Sequence, residues 1–269
     1  MSSITSSQLS CAFPALGSSK SSEYASSMNS MMSGILTTSC DWAAFLGNAG
    51  TESVQMTVWT QVPCDSATDA PYCGRGPLQI TFDSNYEFCA EQTSYCSCPT
   101  IYDNPELVSS DTNTGFGTAA CVWGIMSGHD LSSNSDGSLA GFKETACYIN
   151  AGHSPCGDPN GWESRQSYWY QANDCLGISE DLWMEDYKKF KSRQQQQQQQ
   201  ADQADGAPSL RGAAALGYSD GSEGSSVQLP PPKKKALVRK VHDALSFVSS
   251  RARDFVEAFK GALQKQRRQ

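Results

Sequence analysis

The residues best suited to chemistry lie in two neighbouring stretches, 42–61 and 72–86. In the first, four apolar residues recur at helical intervals: Trp42, Phe45, Leu46 and Ala49. This spacing predicts a helix with one apolar face, and Glu52 follows on that face. Burial disfavours a charged carboxylate and raises its pKa, so this position suits a general acid. Two plainer roles stay open for Glu52, as a polar residue at a helix end or as the partner of an arginine.

The second stretch combines a glycine turn with amide, hydroxyl and aromatic side chains. Gly74 and Gly76 permit a sharp turn of the backbone. Gln79 and Thr81 alternate with apolar residues, which predicts that both point to one side of a short strand. Such groups opposite a buried glutamate indicate a cleft for a sugar. A phosphate-binding loop is excluded, because no Gly-Lys-Ser/Thr follows the glycines.

A folded segment of about 37–190 must position these side chains. The aromatic spacing in 162–176 predicts a helix, and Asn104-Pro-Glu-Leu opens another. No long period-2 alternation occurs, so any strands should be short. Residues 1–36 are rich in serine and are interpreted as a short linker that leads into the first helix.

The composition changes at the C-terminal end of this segment. Residues 191–232 contain seven consecutive glutamines, a Gly/Ser-rich run and three consecutive prolines at the end, which predicts a disordered linker. Residues 233–269 have apolar positions at intervals of three and four flanked by lysine and arginine. This pattern predicts a basic amphipathic helix that binds an anionic membrane surface or a partner protein. A helix that docks on its own acidic domain, or an unstructured tail, is the alternative.

The cysteines predict a disulfide framework. All eleven lie between Cys11 and Cys175, in a Gly- and Ser-rich segment, which is typical of an oxidising compartment. The ligand spacing of a zinc site is missing, so we expect neither a metal nor another cofactor. The N-terminus lacks the basic and apolar regions of a signal peptide, although the cysteines favour an extracellular location.

Charge divides the chain into two parts. Residues 233–269 carry eleven basic and three acidic residues, whereas the rest carries nine basic and twenty-five acidic ones. The acidic folded part disfavours nucleic acid as a partner and suits a neutral or cationic substrate.

Several motifs together resemble a known family. Thr51-Glu-Ser and the fifteen residues 72–86 resemble the catalytic and cleft motifs of family 19 glycoside hydrolases, the plant-type and bacterial chitinases. Residues 104–108, 149–152 and 165–178 match in order and spacing. The resemblance implies a mainly α, bilobal, lysozyme-like fold with short strands and several disulfides. It also implies an inverting endochitinase that cleaves β-1,4-linked N-acetylglucosamine polymers.

The resemblance also implies roles for particular residues. Glu52 would protonate the glycosidic oxygen, Thr81 would help to hold the attacking water, and Arg165 would tune the carboxylates electrostatically. A disulfide between Cys156 and Cys175 is implied as well. Four residues would contact the sugars: Tyr72, Gln79, Asn85 and Asn150.

One departure from the family pattern concerns the catalytic base. Inversion needs a second carboxylate across the cleft, and Gln61 occupies the position of that glutamate. Asp65 and Asp69 follow nearby and are candidate substitutes. An active chitinase is favoured on the surviving acid and sugar-binding residues. The alternatives are a chitinase-like binding protein without turnover, and a peptidoglycan hydrolase like the related phage endolysins.

Overall fold

The computed structural model describes residues 3–65, 69–92, 98–126 and 130–205. The helices of these ranges are α1 (Ser6–Ala12), α2 (Gly17–Met32), α3 (Ser39–Glu52), α4 (Asp83–Glu91), α5 (Leu107–Ser110), α6 (Thr112–Cys121), α7 (Leu139–Ala151), α8 (Trp162–Leu176) and α9 (Met184–Asp205). Short 3-10 turns at Pro14–Leu16, Leu131–Asn134 and Glu180–Leu182, and a π-helical turn at Val122–Met126, lie between them. Within the described ranges, extended pairing is limited to isolated bridges that join Arg75 to Thr60 and Ile80.

Helix α3 is the central element of the fold. The hydroxyl of Thr38 accepts a hydrogen bond from the Asp41 backbone amide at 3.1 Å, and the Asp41 carboxylate accepts one from the Thr38 amide at 2.8 Å. This capping box satisfies backbone donors at the start of the helix. Every residue from Asp41 to Gly50 is buried, so the apolar surface extends around the helix instead of along one face.

Helix α8 packs closely against α3. A Cβ atom at Gly47 would lie 2.8 Å from the Trp169 side chain, which is closer than carbon atoms normally approach. Glycine at this position therefore lets the two helices come together, and their close packing brings the C-terminal end of α3 beside the N-terminal part of α8.

The buried apolar residues form two clusters, in agreement with the predicted bilobal, mainly α fold. The larger cluster joins residues of α1, α2, α3, α6, α7, α8 and α9, and includes Trp42, Trp123 and Trp169. The smaller one joins Ile80 and Tyr86 to residues of α4, α5 and α6. The two candidate motifs belong to different lobes, because Glu52 ends a helix of the larger cluster and residues 72–86 belong mostly to the smaller one.

The interpretation of residues 1–36 as a linker is wrong. Helices α1 and α2 occupy most of this segment, and Ile4, Leu9, Phe13 and Met28 are among its residues in the larger core. The high serine content indicates a linker, but most of the serines lie between the apolar positions of two helices. The apolar side chains recur at helical intervals and supply enough buried surface to order the segment.

The disulfide suggested between Cys156 and Cys175 is also wrong. Cys175 is bonded to Cys11, and Cys156 is bonded to Cys147. The disulfide between Cys11 and Cys175 follows from the packing of α1 against the C-terminal half of α8, where Gln171 Nε2 donates to the Cys11 carbonyl at 2.9 Å. A third disulfide joins Cys64 to Cys73.

Helix α9 extends further than the sequence indicates. Residues 191–205 continue this helix, although the sequence places them in a disordered linker. Glutamine has a favourable helix propensity, so a polar run can prolong a helix that Trp183 and Phe190 anchor in the core. The remainder of the linker and the basic segment 233–269 lie outside the described residues. Among the described helices, none is both long and apolar enough to span a bilayer.

Candidate active site

Glu52 and Arg165 form the central pair of the candidate site. Arg165 Nη2 donates to Glu52 Oε1, and the side chains of the glutamate and the arginine are 12% and 0% exposed. Glu52 is therefore both the last residue of α3 and the partner of an arginine. Burial favours the neutral carboxylic acid, while the guanidinium favours the carboxylate, so the two influences act in opposite directions.

Further hydrogen bonds hold the Arg165 guanidinium in place. Its Nη1 donates to Asn48 Oδ1 at 2.5 Å, and its Nε donates to the Asn160 carbonyl at 2.9 Å. Asn48 in turn donates to the Thr145 hydroxyl at 3.1 Å. Residues of α3, α7 and α8 thus fix the orientation of the arginine, and the arginine fixes the orientation of Glu52.

Asn150 belongs to the same network. Its Oδ1 accepts a hydrogen bond from the Asn160 backbone amide at 3.2 Å, and the Asn160 carbonyl accepts from Arg165. A continuous series of hydrogen bonds therefore joins three residues that the sequence singled out: Asn150, Arg165 and Glu52.

The sequence reasoning did not identify Asn48 or Asn160. A signal for Asn48 was present, because it lies four residues before Glu52, on the same face of α3. Asn160 contributes only backbone atoms to this network, and its side-chain type gave no indication of that role.

A second network lies around Gly74 in the other candidate motif. Gln61 Oε1 accepts from the Gly74 amide at 2.9 Å, and the Gln61 amide donates to the Gly74 carbonyl at 2.8 Å. A Cβ atom at Gly74 would lie 3.0 Å from the side-chain oxygens of both Gln61 and Gln79. Because Gly74 has no side chain, the side-chain oxygens of Gln61 and Gln79 can both approach its backbone.

Hydrogen bonds connect the remaining polar residues of this motif one after another. Gln79 Nε2 donates to the Gly76 carbonyl at 2.9 Å, and the Thr81 hydroxyl donates to the Gln79 carbonyl at 2.9 Å. Asn85 Nδ2 donates to the Thr81 carbonyl at 2.8 Å. The structure thus brings together Gln61, Gln79, Thr81 and Asn85, while Glu52 belongs to the first network.

Arg75 supports the cleft motif from within. It is 4% exposed, donates to the Pro71 carbonyl at 2.6 Å, and forms an ion pair of 3.4 Å with Glu106. Tyr86 donates its hydroxyl to the Cys73 carbonyl at 3.0 Å, and burial raises the pKa of this phenol to about 12. Both side chains shape the turn between the two glycines.

Tyr72 presents an aromatic surface at the edge of the smaller lobe. Its ring stacks on Tyr102 with 5.2 Å between centroids and 16° between planes, and its hydroxyl donates to the Tyr102 carbonyl at 3.2 Å. Both rings pack against the smaller core, so they form a supported aromatic pair. The sequence identified Tyr72 but not its neighbour Tyr102, which lies thirty residues later.

Asp65 and Asp69 lie in the loop that the disulfide between Cys64 and Cys73 closes. Both are exposed. Partial burial and, to a smaller extent, the carboxylate of Asp83 raise the pKa of Asp69 above its ordinary value. Among the described residues, no three histidine, cysteine or acidic side chains are grouped so that they could hold a metal ion.

Comparison with known proteins identifies similar chains. The model of glycoside hydrolase family 19, described as chitinase class I, matches residues 18–158. Chitinase 11 of Oryza sativa subsp. japonica is 29% identical in an alignment of 142 residues that covers 46% of this chain and 54% of that protein. Endochitinase 1 of Gossypium hirsutum is 30% identical in an alignment of 135 residues that covers 44% of this chain and 39% of that protein. The chain thus spans about half or less of the length of these curated relatives.

A solved structure has a similar fold. Chitinase C from Streptomyces griseus HUT6037 superposes with a TM-score of 0.53 and 22% identity, over 65% of this chain and 77% of that chain. At this identity the likeness concerns the fold, and it agrees with the lysozyme-like architecture expected from the sequence.

Proposed function

We propose that this chain, which belongs to glycoside hydrolase family 19, hydrolyses β-1,4-linked N-acetylglucosamine polymers with Glu52 as the proton donor. Membership of the family rests on a match over more than half of the chain, residues 18–158. The chemistry rests chiefly on one observation: a mostly buried Glu52 is held by a fully buried Arg165. Such a fixed carboxyl, at the end of the central helix, suits proton transfer to a bound leaving group.

The other predicted residues have roles that fit their positions. Asn150 is connected to the Arg165 network, and Gln79 and Asn85 present amides from the second network. We assign these three amides to the N-acetyl and hydroxyl groups of the substrate, since planar amides form directed hydrogen bonds with both. Tyr72 supplies an aromatic surface on which a sugar ring packs.

The base is assigned to the loop closed by the disulfide between Cys64 and Cys73. A general base must be ionised at the working pH, and a pKa raised toward neutrality strengthens it. Partial burial and, to a smaller extent, the carboxylate of Asp83 raise the pKa of Asp69 above its ordinary value, so we assign the base to Asp69. With Asp69 as the base, Thr81 and Gln61 orient the attacking water, and the reaction inverts the anomeric configuration.

Chitin oligosaccharides test this function directly. The full chain should release shorter oligomers, and Glu52→Gln should lower the rate by about 10²–10⁴-fold. Glu87→Gln, at an exposed position of α4, is the matched control and should keep the wild-type rate. Asp69→Asn should resemble Glu52→Gln. Equal rates for wild type and Glu52→Gln would refute the assignment of the acid.

A chitinase-like binding protein is the second candidate, because a specific observation favours it. The Gln61 side chain occupies the expected position of the base, and an amide oxygen bound to the Gly74 amide cannot take a proton from water. Gln61→Glu keeps an acceptor for that amide and adds a carboxylate. If this variant gains hydrolysis that the wild type lacks, the wild-type chain is the binding protein.

A peptidoglycan hydrolase is the third candidate, since the same chemistry cleaves the alternating sugars of that polymer. Release of reducing ends from purified peptidoglycan, without release from chitin, would show that the substrate is peptidoglycan. Both substrates lie outside cells, and the three disulfides found among the described residues are compatible with an extracellular location.

A further inference from the structure

A groove on another side of α8 has no role in the proposed chemistry. It lies between α7, the N-terminal half of α8 and α9, and its volume is about 1020 Å³. Arg165 points from α8 toward α3 and does not line this groove. Trp162, Ser164 and Gln166 of α8 line one wall, and charged side chains of α7, α8, α9 and the segment before α8 complete the lining.

A stack of three aromatic rings supports one wall of the groove. Trp162 stacks on Phe142 with 5.5 Å between centroids, and Phe142 stacks on Trp169 with 5.0 Å. Phe142 and Trp169 are fully buried, whereas Trp162 is partly exposed. The core therefore holds the outer indole in one orientation, so little conformational entropy is lost when a ligand packs on it.

Gln166 contributes an amide to the wall of the groove. This side chain is 2% exposed and lines the groove. An amide offers a ligand both a hydrogen-bond donor and a hydrogen-bond acceptor, so it suits the hydroxyl and N-acetyl groups of a sugar.

The charges along the groove are mixed. Lys143 donates to Asp158 at 2.7 Å and lies 5.7 Å from the centre of the Trp162 ring. Arg193 is a second cation, and the carboxylates of Glu163 and Asp186 complete the lining. Three acidic and two basic side chains give no strong field of one sign, which favours a neutral, hydroxyl-rich ligand over an ion. Together with a fixed indole and an amide in the wall of the groove, this is the chemistry of saccharide binding.

The rim of the groove contacts the candidate active site. Ser164 lies 3.3 Å from the Thr51 hydroxyl, measured between side-chain oxygens, and Thr51 directly precedes Glu52. A polymer held in the groove would therefore pass close to the end of α3.

We propose that this groove is a second binding site for the N-acetylglucosamine polymer, with Trp162 and Gln166 as its main contacts. This site rests on the proposed substrate, although its occupancy does not depend on turnover. It would hold a long chain beside the active site and raise the local concentration of cleavable bonds.

Calorimetric titration of the full-length Glu52→Gln variant with chitohexaose tests the site. We expect two binding events, of which one weakens at least tenfold when Trp162→Ala or Gln166→Leu is added. Gln166→Leu keeps the volume of a buried side chain, so it serves if loss of Trp162 disturbs the fold. Lys188→Ala, an exposed change on α9 outside the groove, is the control and should leave both events unchanged.

Hydrolysis separates this site from the proposed active site. In the chain with Glu52 intact, Trp162→Ala and Gln166→Leu should lower the rate on insoluble chitin severalfold and leave the rate on chitotriose unchanged. A chain that hydrolyses neither substrate would contradict the proposed function, yet a Trp162-dependent binding event would still support the groove. Binding that is identical in folded Trp162→Ala, Gln166→Leu and the parent would overturn the second site.

Discussion

The ion pair between Glu52 and Arg165 can be measured with a double-mutant cycle. Arg165→Met keeps a long side chain but removes the charge and leaves the Asn48 and Asn160 oxygens without a donor. Loss of one partner of a buried pair costs about 3–5 kcal/mol, and each lost hydrogen bond adds about 1 kcal/mol. Because Glu52 keeps 12% exposure and can regain some water, we expect about 4 kcal/mol for this variant.

The remaining variants complete the cycle. Glu52→Gln keeps an oxygen that accepts from Arg165 but leaves the fully buried guanidinium without its counter-charge, so it should cost about 3 kcal/mol. In the double variant neither charge remains uncompensated, and its cost should be about 2 kcal/mol less than the sum of the two single costs.

Denaturant unfolding at constant pH measures these free energies. The ion pair between Lys143 and Asp158 is the matched control, because its side chains are 38% and 73% exposed and its coupling should stay below about 1 kcal/mol. A coupling between Glu52 and Arg165 as small as that of the exposed pair would refute the reasoning. It would mean that the guanidinium does not hold the carboxyl in solution.

Two further predictions concern the smaller lobe. The pKa of Asp69 is raised by burial and by Asp83, so the folded state binds this proton more tightly and its stability falls as pH rises just above the usual value of 3.8. Asp83→Asn should lower that pKa in an NMR titration, and an unchanged value would exclude the contribution of Asp83. Cys89 and Cys121 have sulfur atoms 2.6 Å apart in the core, and oxidised glutathione should join them as it is reduced to two thiols. Peptide mapping should find this disulfide, with about 3–4 kcal/mol lost on Cys121→Ala, whereas alkylation of both cysteines in the unreduced, unfolded chain would contradict it.

The fold and the local geometry around several residues of the candidate site could be predicted because local patterns encode them. The apolar spacing before Glu52 gives α3, and the glycines at 74 and 76 give the turn that the glutamines share. Arg165 is different, since nothing in its neighbourhood along the chain indicates its partner. Only the resemblance to a family placed it near the carboxylates, and the structure adds the direct contact with Glu52.

Long-range packing explains the errors. Whether serine-rich residues 1–36 are ordered depends on the surface that α3, α6 and α8 offer to them, and no local pattern describes that surface. The partner of Cys175 depends in the same way on where α1 docks, 164 residues away. Composition describes the average character of a segment, whereas burial depends on a few apolar positions within it.

The two networks divide the chemistry between the lobes. Glu52 is fixed from the larger lobe through Arg165, and the amides of Gln61 and Gln79 are fixed from the smaller lobe through the turn at Gly74. An amide at position 61 can orient a water molecule, but the proton of that water needs a carboxylate as its acceptor. The loop between Cys64 and Cys73 carries two carboxylates, Asp65 and Asp69, and ends one residue before Gly74. In the proposed mechanism, turnover depends on a base from this loop, and we expect the same fold without that base to bind the polymer but not to cleave it.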